Sequence, residues 1–520
     1  MKKIATALLS CALSAATLAG CAANAAQVPQ ESQEPHTAAL TATAAASVKS
    51  PKYVFLFIGD GMSYPQIQST SDYLGALKDA DYWQAQPSLD DNQGAILDGP
   101  EYLNFMNFEA AGSAVTYDSN SFAPDSASTA PSISTGHKTY SGSINVDETG
   151  TIEYETIAEQ LKAQKGWEIG VITSVNLNHA PPAAFYAHQA SRSSYYEIGL
   201  ELVESGFDYF AGGGLLKPTG SSGDQTDLYE LAQEAGYTVA KTHAEADAIG
   251  TNTEKAIIID EDLADSDAMA YELDRTDDMW ALADYVAKGI EVLDNDTGFF
   301  MMCEGGKIDW ACHANDAASS IHDTQALADA VQVAIDFAKE HADETLILVT
   351  GDHETGGLTI GFAGTDYDTY LDLLENQKIS FAKYDSDYVA SYKANKTPFG
   401  TVLADIEKLF GLKAQGEEGD KLVLTAYEME QLRAAYEKSI NGTASSQYDQ
   451  AEYVLYGTYE PLSVTITHII NNKSGISFTS YSHTGLPVAV LAEGAGSEMF
   501  NGYYDNTDIY NKLADLLNIA

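Results

Sequence analysis

Seven short apolar runs, separated by stretches of helical periodicity, constrain the fold of this chain more than any other feature. The apolar runs are residues 52–61, 167–173, 207–213, 255–260, 298–306, 345–352 and 487–494. Helical patterns include residues 155–165, 277–293 and 316–340. Short continuous apolar runs are typical of strands buried on both faces, and their alternation with long helices indicates parallel pairing. The sequence therefore predicts an α/β fold with a large, mostly parallel central sheet and helices on both faces.

Acidic side chains stand where three of these predicted strands end. Asp60 follows the first run, Glu304 follows "FFMMC" and Asp352 follows "ILVTG". In open parallel sheets, ligands bind beyond the carboxyl ends of the strands. The sequence therefore predicts a functional site at that edge of the sheet.

Imidazoles and a further acid follow the same strands. Asp309 and His313 in "EGGKIDWACH" are four residues apart, so one helix turn places both on the same face. Buried acids and imidazoles are costly to gather unless cations neutralise them. The set divides into two groups: Asp309, His313 and His483; and Asp60, Asp352 and His353. Mixed carboxylate and imidazole ligands suit zinc, and two such ions clamp the attacking and leaving oxygens of a phosphoryl displacement.

The stretch "PDSASTAPSISTGHKT" (124–139) supplies a candidate nucleophile. Alone, a run of small hydroxyl residues is typical of a linker or a helix start. Beside a two-metal site, Ser126 gains a chemical role. Because a serine hydroxyl is a poor nucleophile and no motif identifies a histidine base, coordination to the second zinc is the plausible activation. A helix beginning there would add N–H groups facing the transferred group.

Seven motifs, in order, resemble those of the bacterial alkaline phosphatases over about residues 52–517, excluding most of an insertion. The motifs are "GDGM" (59–62), "PDSASTA" (124–130), "STGHKT" (134–139), "NHAPPAAFYAHQASR" (178–192), "EGGKIDWACH" (304–313), "TGDHETGG" (350–357) and "SYSHTGLPV" (481–488). The resemblance implies hydrolysis of phosphate monoesters to inorganic phosphate, with Ser126 as the phosphorylated nucleophile and Arg192 gripping the phosphate. It also implies two zinc ions at the groups above. Homodimers are common among these relatives, so a homodimer is expected.

The resemblance further implies a third, magnesium-type site built from Asp60, Glu304 and a hydroxyl residue of "NHAPP". Pro181 occupies the position of that hydroxyl, so we expect a weaker, more hydrated magnesium site or none. His179 and Trp310 depart from the enterobacterial enzymes and resemble the marine Vibrio-like subgroup.

Three residues are expected at or just behind the rim of the site: Asp125, His179 and Trp310. His179 is expected either to contact the third metal through water or to line the cleft. Trp310 is expected to shape the rim. Pro131 also departs from the family pattern, about one turn into the predicted helix, where a proline either costs little or kinks the helix.

The N-terminal residues resemble an export signal. Two lysines precede an apolar run to Gly20, which predicts a signal over 1–21 rather than a spanning helix. Two cleavage patterns compete: "LAGC", which makes Cys21 a lipid anchor and is favoured, and "ANA" (23–25). Residues 22–50 have the composition of a flexible tether, and 51–520 form the predicted catalytic domain. The mature protein is then periplasmic or membrane-anchored at the cell surface.

Between about 360 and 474, the strand pattern gives way to a Tyr-rich, acidic insertion whose role is surface cover, a subunit contact or the rim of the site.

The chain carries 27 Lys+Arg and 76 Asp+Glu, a formal charge of -49, which argues against a nucleic-acid partner. Outside the signal only Cys303 and Cys312 occur, as a bridge or as buried thiols, so no disulfide framework holds the fold.

These features favour an exported phosphomonoesterase that releases phosphate for scavenging. One alternative is a phosphodiesterase or sulfatase of the same superfamily. Arg192 with Glu304 argues for a monoester dianion, and the sequence holds no Cys-x-Pro-x-Arg motif for a formylglycine nucleophile. The other alternative is a non-catalytic surface lipoprotein that binds metal or phosphate, which would not need Ser126 and Arg192.

Overall fold

A ten-stranded sheet forms the centre of the computed structural model, which describes residues 50–79, 82–84, 96–442 and 444–519. The strands are β1 (Tyr53–Gly59), β2 (Ala110–Val115), β3 (Glu168–Asn176), β4 (Tyr209–Gly213), β5 (Thr238–Ala240), β6 (Ala256–Ile259), β7 (Phe299–Gly305), β8 (Thr345–Gly351), β9 (Glu354–Thr355), β10 (Thr359–Ile360), β11 (Ile476–Ser477), β12 (His483–Thr484), β13 (Val488–Gly494) and β14 (Gly502–Asp505). The order in the large sheet is β14-β2-β13-β8-β1-β7-β3-β4-β6-β5. Two small pairs, β10 with β11 and β12 with β9, lie apart from it.

Seventeen α-helices are described. They are α1 (Tyr64–Lys78), α2 (Ser126–Thr135), α3 (Ile157–Lys165), α4 (Ala180–Ala183), α5 (Tyr195–Ser205), α6 (Leu228–Glu234), α7 (His243–Asp247), α8 (Leu282–Leu293), α9 (Lys307–His313), α10 (Ala317–Glu340), α11 (Phe381–Tyr384), α12 (Ala390–Asn395), α13 (Phe399–Phe410), α14 (Ala426–Asn441), α15 (Gln450–Tyr456), α16 (Pro461–Ser474) and α17 (Thr507–Leu517). All three predicted helical stretches are present, as α3, α8 and α10.

The large sheet is parallel except at one strand. β13 runs antiparallel to both of its neighbours, β2 and β8. Every other neighbouring pair is parallel. The seven predicted strands all belong to this sheet, which confirms the predicted α/β class.

Strand β1 shows why these apolar runs become central strands. All seven of its residues are buried, and alternate side chains point to opposite faces of the sheet. Leu56 and Ile58 join one apolar core, to which α2, α3 and α17 contribute. Phe55 and Phe57 join a second core, which α8 and α10 cover. The sheet is therefore sandwiched between two helical layers.

The predicted insertion is mainly helical and contains α11 to α16. Leu374, Phe410, Leu432 and Ile466 lie in one apolar cluster, together with Ile321 of α10. The insertion thus packs against the N-terminal part of a helix that covers the central sheet. This placement brings some of its side chains close to the carboxyl ends of the strands.

Several predictions concern residues at the N-terminus. The predicted signal (1–21), Cys21 and nearly all of the predicted tether (22–50) lie outside the described residues. Among the helices of the described ranges, none combines the length and the apolar character needed to cross a membrane. Cys303 and Cys312 are buried free thiols, so of the two expected states the structure has the unbridged one.

Candidate active site

Three carboxylates meet at the carboxyl ends of the central strands. Asp60 directly follows β1, Asp352 directly follows β8, and Glu304 is the penultimate residue of β7. The in-register pairing of β1 with both neighbours brings these ends together, with Ile58 opposite Glu304. All three side chains are fully buried. This is the edge of the sheet at which the sequence predicts the site.

Asp60, Asp352 and His353 form the first candidate metal group, with one ligand atom from each lying within 4.8 Å of the others. His353 Nε2 lies 3.4 Å from Asp60 Oδ1 and 3.3 Å from Asp352 Oδ2. Burial lowers the pKa of His353, so its imidazole is neutral and can offer a lone pair. Burial also raises the pKa of Asp60, and that of Asp352 to about 7. A cation would favour the ionised form of both acids.

Asp309, His313 and His483 form the second group, again with ligand atoms within 4.8 Å of one another. One turn of α9 carries the first two, and His313 Nε2 lies 3.3 Å from Asp309 Oδ2. The pairing of β12 with β9 places His483 opposite Thr355, two residues beyond His353. The rings of His353 and His483 stack with centroids 3.6 Å apart. The two groups are therefore neighbours.

The hydrogen bonds of this second group fix which imidazole nitrogens face the site. His313 Nδ1 lies 2.6 Å from the carbonyl oxygen of Tyr481, and His483 Nδ1 lies 2.6 Å from that of Pro124. A carbonyl only accepts, so each Nδ1 carries the hydrogen and each Nε2 presents its lone pair. The two Nε2 atoms are 3.0 Å apart. Two lone pairs at this distance repel unless a cation or a proton lies between them, so the donor set fits a metal ion.

The pKa shifts of this second group also fit a bound cation. Burial would raise the pKa of Asp309, but the charges of His313 and His483 outweigh it and lower the pKa. Burial would likewise lower the pKa of His313, but the Asp309 charge raises it to about 9. In the absence of metal, a proton thus takes the place of the cation.

A third set of oxygens surrounds Glu304. Its Oε1 and Asp60 Oδ2 are buried and have no hydrogen-bond partner among the described residues. Burial raises the pKa of Glu304 to about 8. Pro181, in α4, brings no hydroxyl, as the sequence predicts. Instead Thr173, which is opposite Glu304 in the pairing of β3 with β7, donates its hydroxyl to Glu304 Oε2.

Ser126 is the first residue of α2 and lies beside the first metal group. Its Oγ is 3.1 Å from His353 Nε2 and 3.5 Å from Asp60 Oδ1, and the side chain is almost completely buried. Asp125 caps the helix with an extended backbone. Pro131 lies inside the helix, which nevertheless continues to Thr135. The hydroxyl therefore faces the proposed metal ligands from a helix N-terminus.

Arg192 is held at the rim by two of the predicted residues. Its Nη1 donates to Asp125 Oδ2 at 3.0 Å, and its Nη2 lies 3.3 Å from His179 Nε2. Burial and the Arg192 charge lower the pKa of His179 to about 3, so this imidazole is neutral and accepts from the guanidinium. Asp125 Oδ1 accepts in turn from the Gly142 N–H at 2.9 Å. The guanidinium is thus oriented before any ligand binds.

A cavity of about 560 Å³ connects Ser126, Arg192 and the second metal group. Its catalytic end is lined by Ser126, Arg192, Asp309, His313 and His483, and its outer walls include His179, Tyr271, Trp310, Phe381 and Tyr459. The sequence predicts His179 and Trp310 at this place but not the other three aromatic residues. Phe381 and Tyr459 lie in the insertion, and nothing in their local sequence distinguishes them from core residues.

Comparison with known proteins identifies relatives of this chain. A family model described as alkaline phosphatase matches residues 51–519. Alkaline phosphatase 3 of Bacillus subtilis is 30% identical, covering 88% of this chain and 87% of that protein. The cold-active alkaline phosphatase from a psychrophilic Shewanella species is 28% identical, with a TM-score of 0.68, covering 89% of this chain and 99% of that one. A variant of the alkaline phosphatase from the Antarctic bacterium TAB5, with Mg bound in its M3 site, is 25% identical with a TM-score of 0.60, covering 91% and 99%.

Proposed function

Because this chain belongs to the alkaline phosphatase family and is a metal-dependent phosphatase, we propose that it hydrolyses phosphate monoesters through a phosphoserine at Ser126. One observation carries the proposal. The Ser126 hydroxyl lies within 3.1 Å of His353 and 3.5 Å of Asp60, and it lines the same cavity as Arg192. A nucleophile, a cation-binding group and a phosphate-binding fork therefore converge on one point.

The proposed reaction has two in-line displacements at phosphorus. In the first, Ser126 Oγ gives its proton to solvent and bonds to phosphorus while the ester P–O bond breaks, and the leaving oxygen takes a proton from water. In the second, a water oxygen bonds to phosphorus while the bond from phosphorus to Ser126 Oγ breaks, a proton from that water restores the serine hydroxyl, and phosphate departs. Two zinc ions held by the two groups would supply Lewis acidity to the attacking and leaving oxygens. The chain's own contribution is to place Ser126 Oγ at a helix N-terminus, facing that point.

Arg192 orients the phosphoryl group in both steps. Its planar fork can donate to two non-bridging oxygens at once, which a lysine cannot do. Asp125 and His179 already hold the guanidinium at 3.0 and 3.3 Å. A preorganised donor loses less conformational entropy when the substrate binds. The dianion of a monoester matches this charge better than a diester does, which is why we favour monoesters over the phosphodiesterase and sulfatase alternative.

We assign a magnesium-type third site to Asp60, Glu304 and Thr173. Buried, unpartnered carboxylate oxygens and a neighbouring hydroxyl are the donors that hard cations prefer. An engineered variant of the TAB5 relative holds Mg in its M3 site, which supports magnesium as the ion of this third site. Thr173 then supplies the hydroxyl that Pro181 lacks, with water completing the shell.

The remaining parts of the proposal rest on the sequence. His179 and Trp310 support a relationship to the marine Vibrio-like subgroup, and the match over 51–519 supports a catalytic domain at 51–520 with an insertion at about 360–474.

The N-terminal pattern supports export, with Cys21 as a lipid anchor, and a role in phosphate scavenging. Homodimers among the relatives support a homodimer. A purely metal-binding lipoprotein is disfavoured, since it would need neither Ser126 nor Arg192.

The test combines metal content with phosphate release from the same purified protein. We expect about two zinc per chain, with activity lost on chelation and regained on adding zinc back. Ser126→Ala should abolish release while the zinc content stays. Ser132→Ala is the matched control, because its hydroxyl lies in the same helix and donates only to the Ser128 carbonyl. Undiminished turnover by Ser126→Ala would refute the mechanism.

A further inference from the structure

Aromatic side chains form one wall of the active-site cavity, beyond the residues that handle phosphate. We call them the aromatic wall: Tyr271, Trp310, Phe381 and Tyr459. Trp310 adjoins Asp309 on α9, and its ring centroid lies 6.0 Å from that of His179, which contacts Arg192. The wall therefore begins next to the phosphate-binding end and extends outwards from it.

The rings of the wall support one another edge to face. Tyr271 and Phe381 have centroids 5.8 Å apart at 66°, and Phe381 and Tyr459 have centroids 5.8 Å apart at 82°. Edge-to-face contacts of this kind are favourable and fix the planes of the rings. Two of the four rings come from the insertion, so the insertion completes the wall.

A buried cation holds Tyr271 and Trp310 of the wall in place. The Lys307 side chain is completely buried, and its Nζ lies 4.2 Å from the centroid of Tyr271 and 4.6 Å from that of Trp310. Asp265 Oδ1 accepts from this Nζ at 2.7 Å. The ammonium ties Tyr271 to Trp310 of α9 through cation–π contacts with both rings. The wall is thus ordered before a ligand arrives, which lowers the entropy cost of binding.

Two further observations point to a ligand at the wall. The hydroxyl of Tyr271 is buried and makes no hydrogen bond to any described residue. The cavity of about 560 Å³ also extends well beyond Ser126 and Arg192, so it has room for more than a phosphoryl group. Asp265 lines it and the whole chain has a formal charge of -49, so a second anionic group on the substrate is disfavoured.

We propose that the aromatic wall binds the leaving group of the substrate, and that the enzyme prefers monoesters with a planar aromatic or heteroaromatic leaving group, such as nucleoside monophosphates. The inference rests on the proposed phosphatase reaction, because it places the phosphoryl group at Ser126. Flat rings gain stacking and edge contacts against such a wall. A small aliphatic leaving group makes no contact with the wall. Comparing aromatic with aliphatic substrates therefore separates the contribution of the wall from that of the phosphate site.

The experiment compares adenosine monophosphate with glycerol phosphate as substrates of the wild type and of a Phe381→Ala/Tyr459→Ala double variant. We expect the wild-type kcat/KM to be higher for adenosine monophosphate. We expect the double variant to lower the ratio of the two kcat/KM values about tenfold, mainly through KM. Tyr427→Ala is the matched control, an exposed aromatic residue of the same insertion, and should leave the ratio unchanged. An unchanged ratio in the double variant, or an equal loss for both substrates, would overturn the proposal.

A binding measurement separates this inference from the reaction itself. Adenosine, which carries no phosphate, should bind the metal-loaded wild-type protein in calorimetry and bind the double variant about tenfold more weakly. If the wild type hydrolysed neither substrate but bound adenosine in this way, the phosphatase proposal would fail and the wall would stand as a binding surface. If adenosine did not bind the wild type, the wall proposal would fail whatever the activity.

Discussion

Removing the metals should make the stability of this protein fall steeply as the pH rises. The cause is the set of buried carboxylates at the ends of β1, β7 and β8, of which Glu304 is the clearest case. Its side chain is fully buried, and one carboxylate oxygen has no partner among the described residues. Burial raises its pKa from the ordinary value of 4.5 to about 8. Without a cation, the folded protein therefore keeps this group protonated.

The sign and size of the effect follow from that pKa. The unfolded chain releases the proton near pH 4.5, whereas the folded chain holds it until about pH 8. Between these values the unfolded state binds fewer protons, so the free energy of unfolding falls as the pH rises. One such group contributes a loss of ~1.4 kcal/mol per pH unit, or ~5 kcal/mol over the whole interval. Burial raises the pKa of Asp60 and of Asp352 as well, and both act in the same direction.

The assay is urea unfolding of the chelated protein at several values between about pH 6.5 and about pH 8, beside the metal-loaded protein. Below the ordinary imidazole pKa of 6.5, the buried His353 and His483 act in the opposite direction, because burial lowers the pKa of both. The chelated protein should lose stability along this series, and the loaded protein should not, because bound cations favour the ionised carboxylates. Glu304→Gln should flatten the slope of the chelated protein in part, since the two aspartates keep theirs. A chelated protein that is as stable at the upper pH as at the lower one would refute the reasoning.

Three further predictions concern single side chains. Arg192→Ala should lower kcat/KM about a hundredfold or more, because two charge-assisted hydrogen bonds to phosphate are lost, and Arg192→Lys should recover only part of it; full activity in Arg192→Ala would contradict this. Asp265→Ala removes the ion-pair partner of the buried Lys307 ammonium and should lower the free energy of unfolding by about 3 kcal/mol in urea titration, whereas no loss would contradict the ion pair. Thr173→Val should weaken magnesium binding about tenfold in calorimetry, and Thr173→Ser should bind magnesium as the wild type does. Equal magnesium affinity in the Thr173→Val and Thr173→Ser variants would contradict the third site.

The central strands were predictable because their residues are apolar on both faces. β1 is the extreme case, since all seven residues are buried. The last two strands at one end of the sheet, β2 and β14, are not predicted by the sequence, because "AAGSAV" and "GYYD" carry small or partly exposed residues without a continuous apolar run. Their strand character depends on pairing with β13 and with each other, which are contacts distant in sequence.

The gathering of the candidate metal ligands follows from the sequence for a related reason. Acids and imidazoles that directly follow buried strands must gather at one edge of the sheet, so the sequence alone predicts that Asp60, Asp352 and His353 lie together. Thr173 could not be found in this way, because threonine is common in strands and only its register with Glu304 gives it a role. Phe381 and Tyr459 reach the cavity through the packing of the insertion on α10, which local sequence patterns do not encode.

The central claim is that a phosphoryl group passes through Ser126, and trapping that intermediate tests it most directly. The metal-loaded protein is mixed with a phosphate monoester, quenched in acid and digested. The mass of the peptide that contains Ser126 is then measured by mass spectrometry. The account predicts that this peptide gains the mass of one phosphoryl group at Ser126, and that the peptide from Ser126→Ala does not. Rapid phosphate release with no such gain, together with full activity in Ser126→Ala, would contradict it.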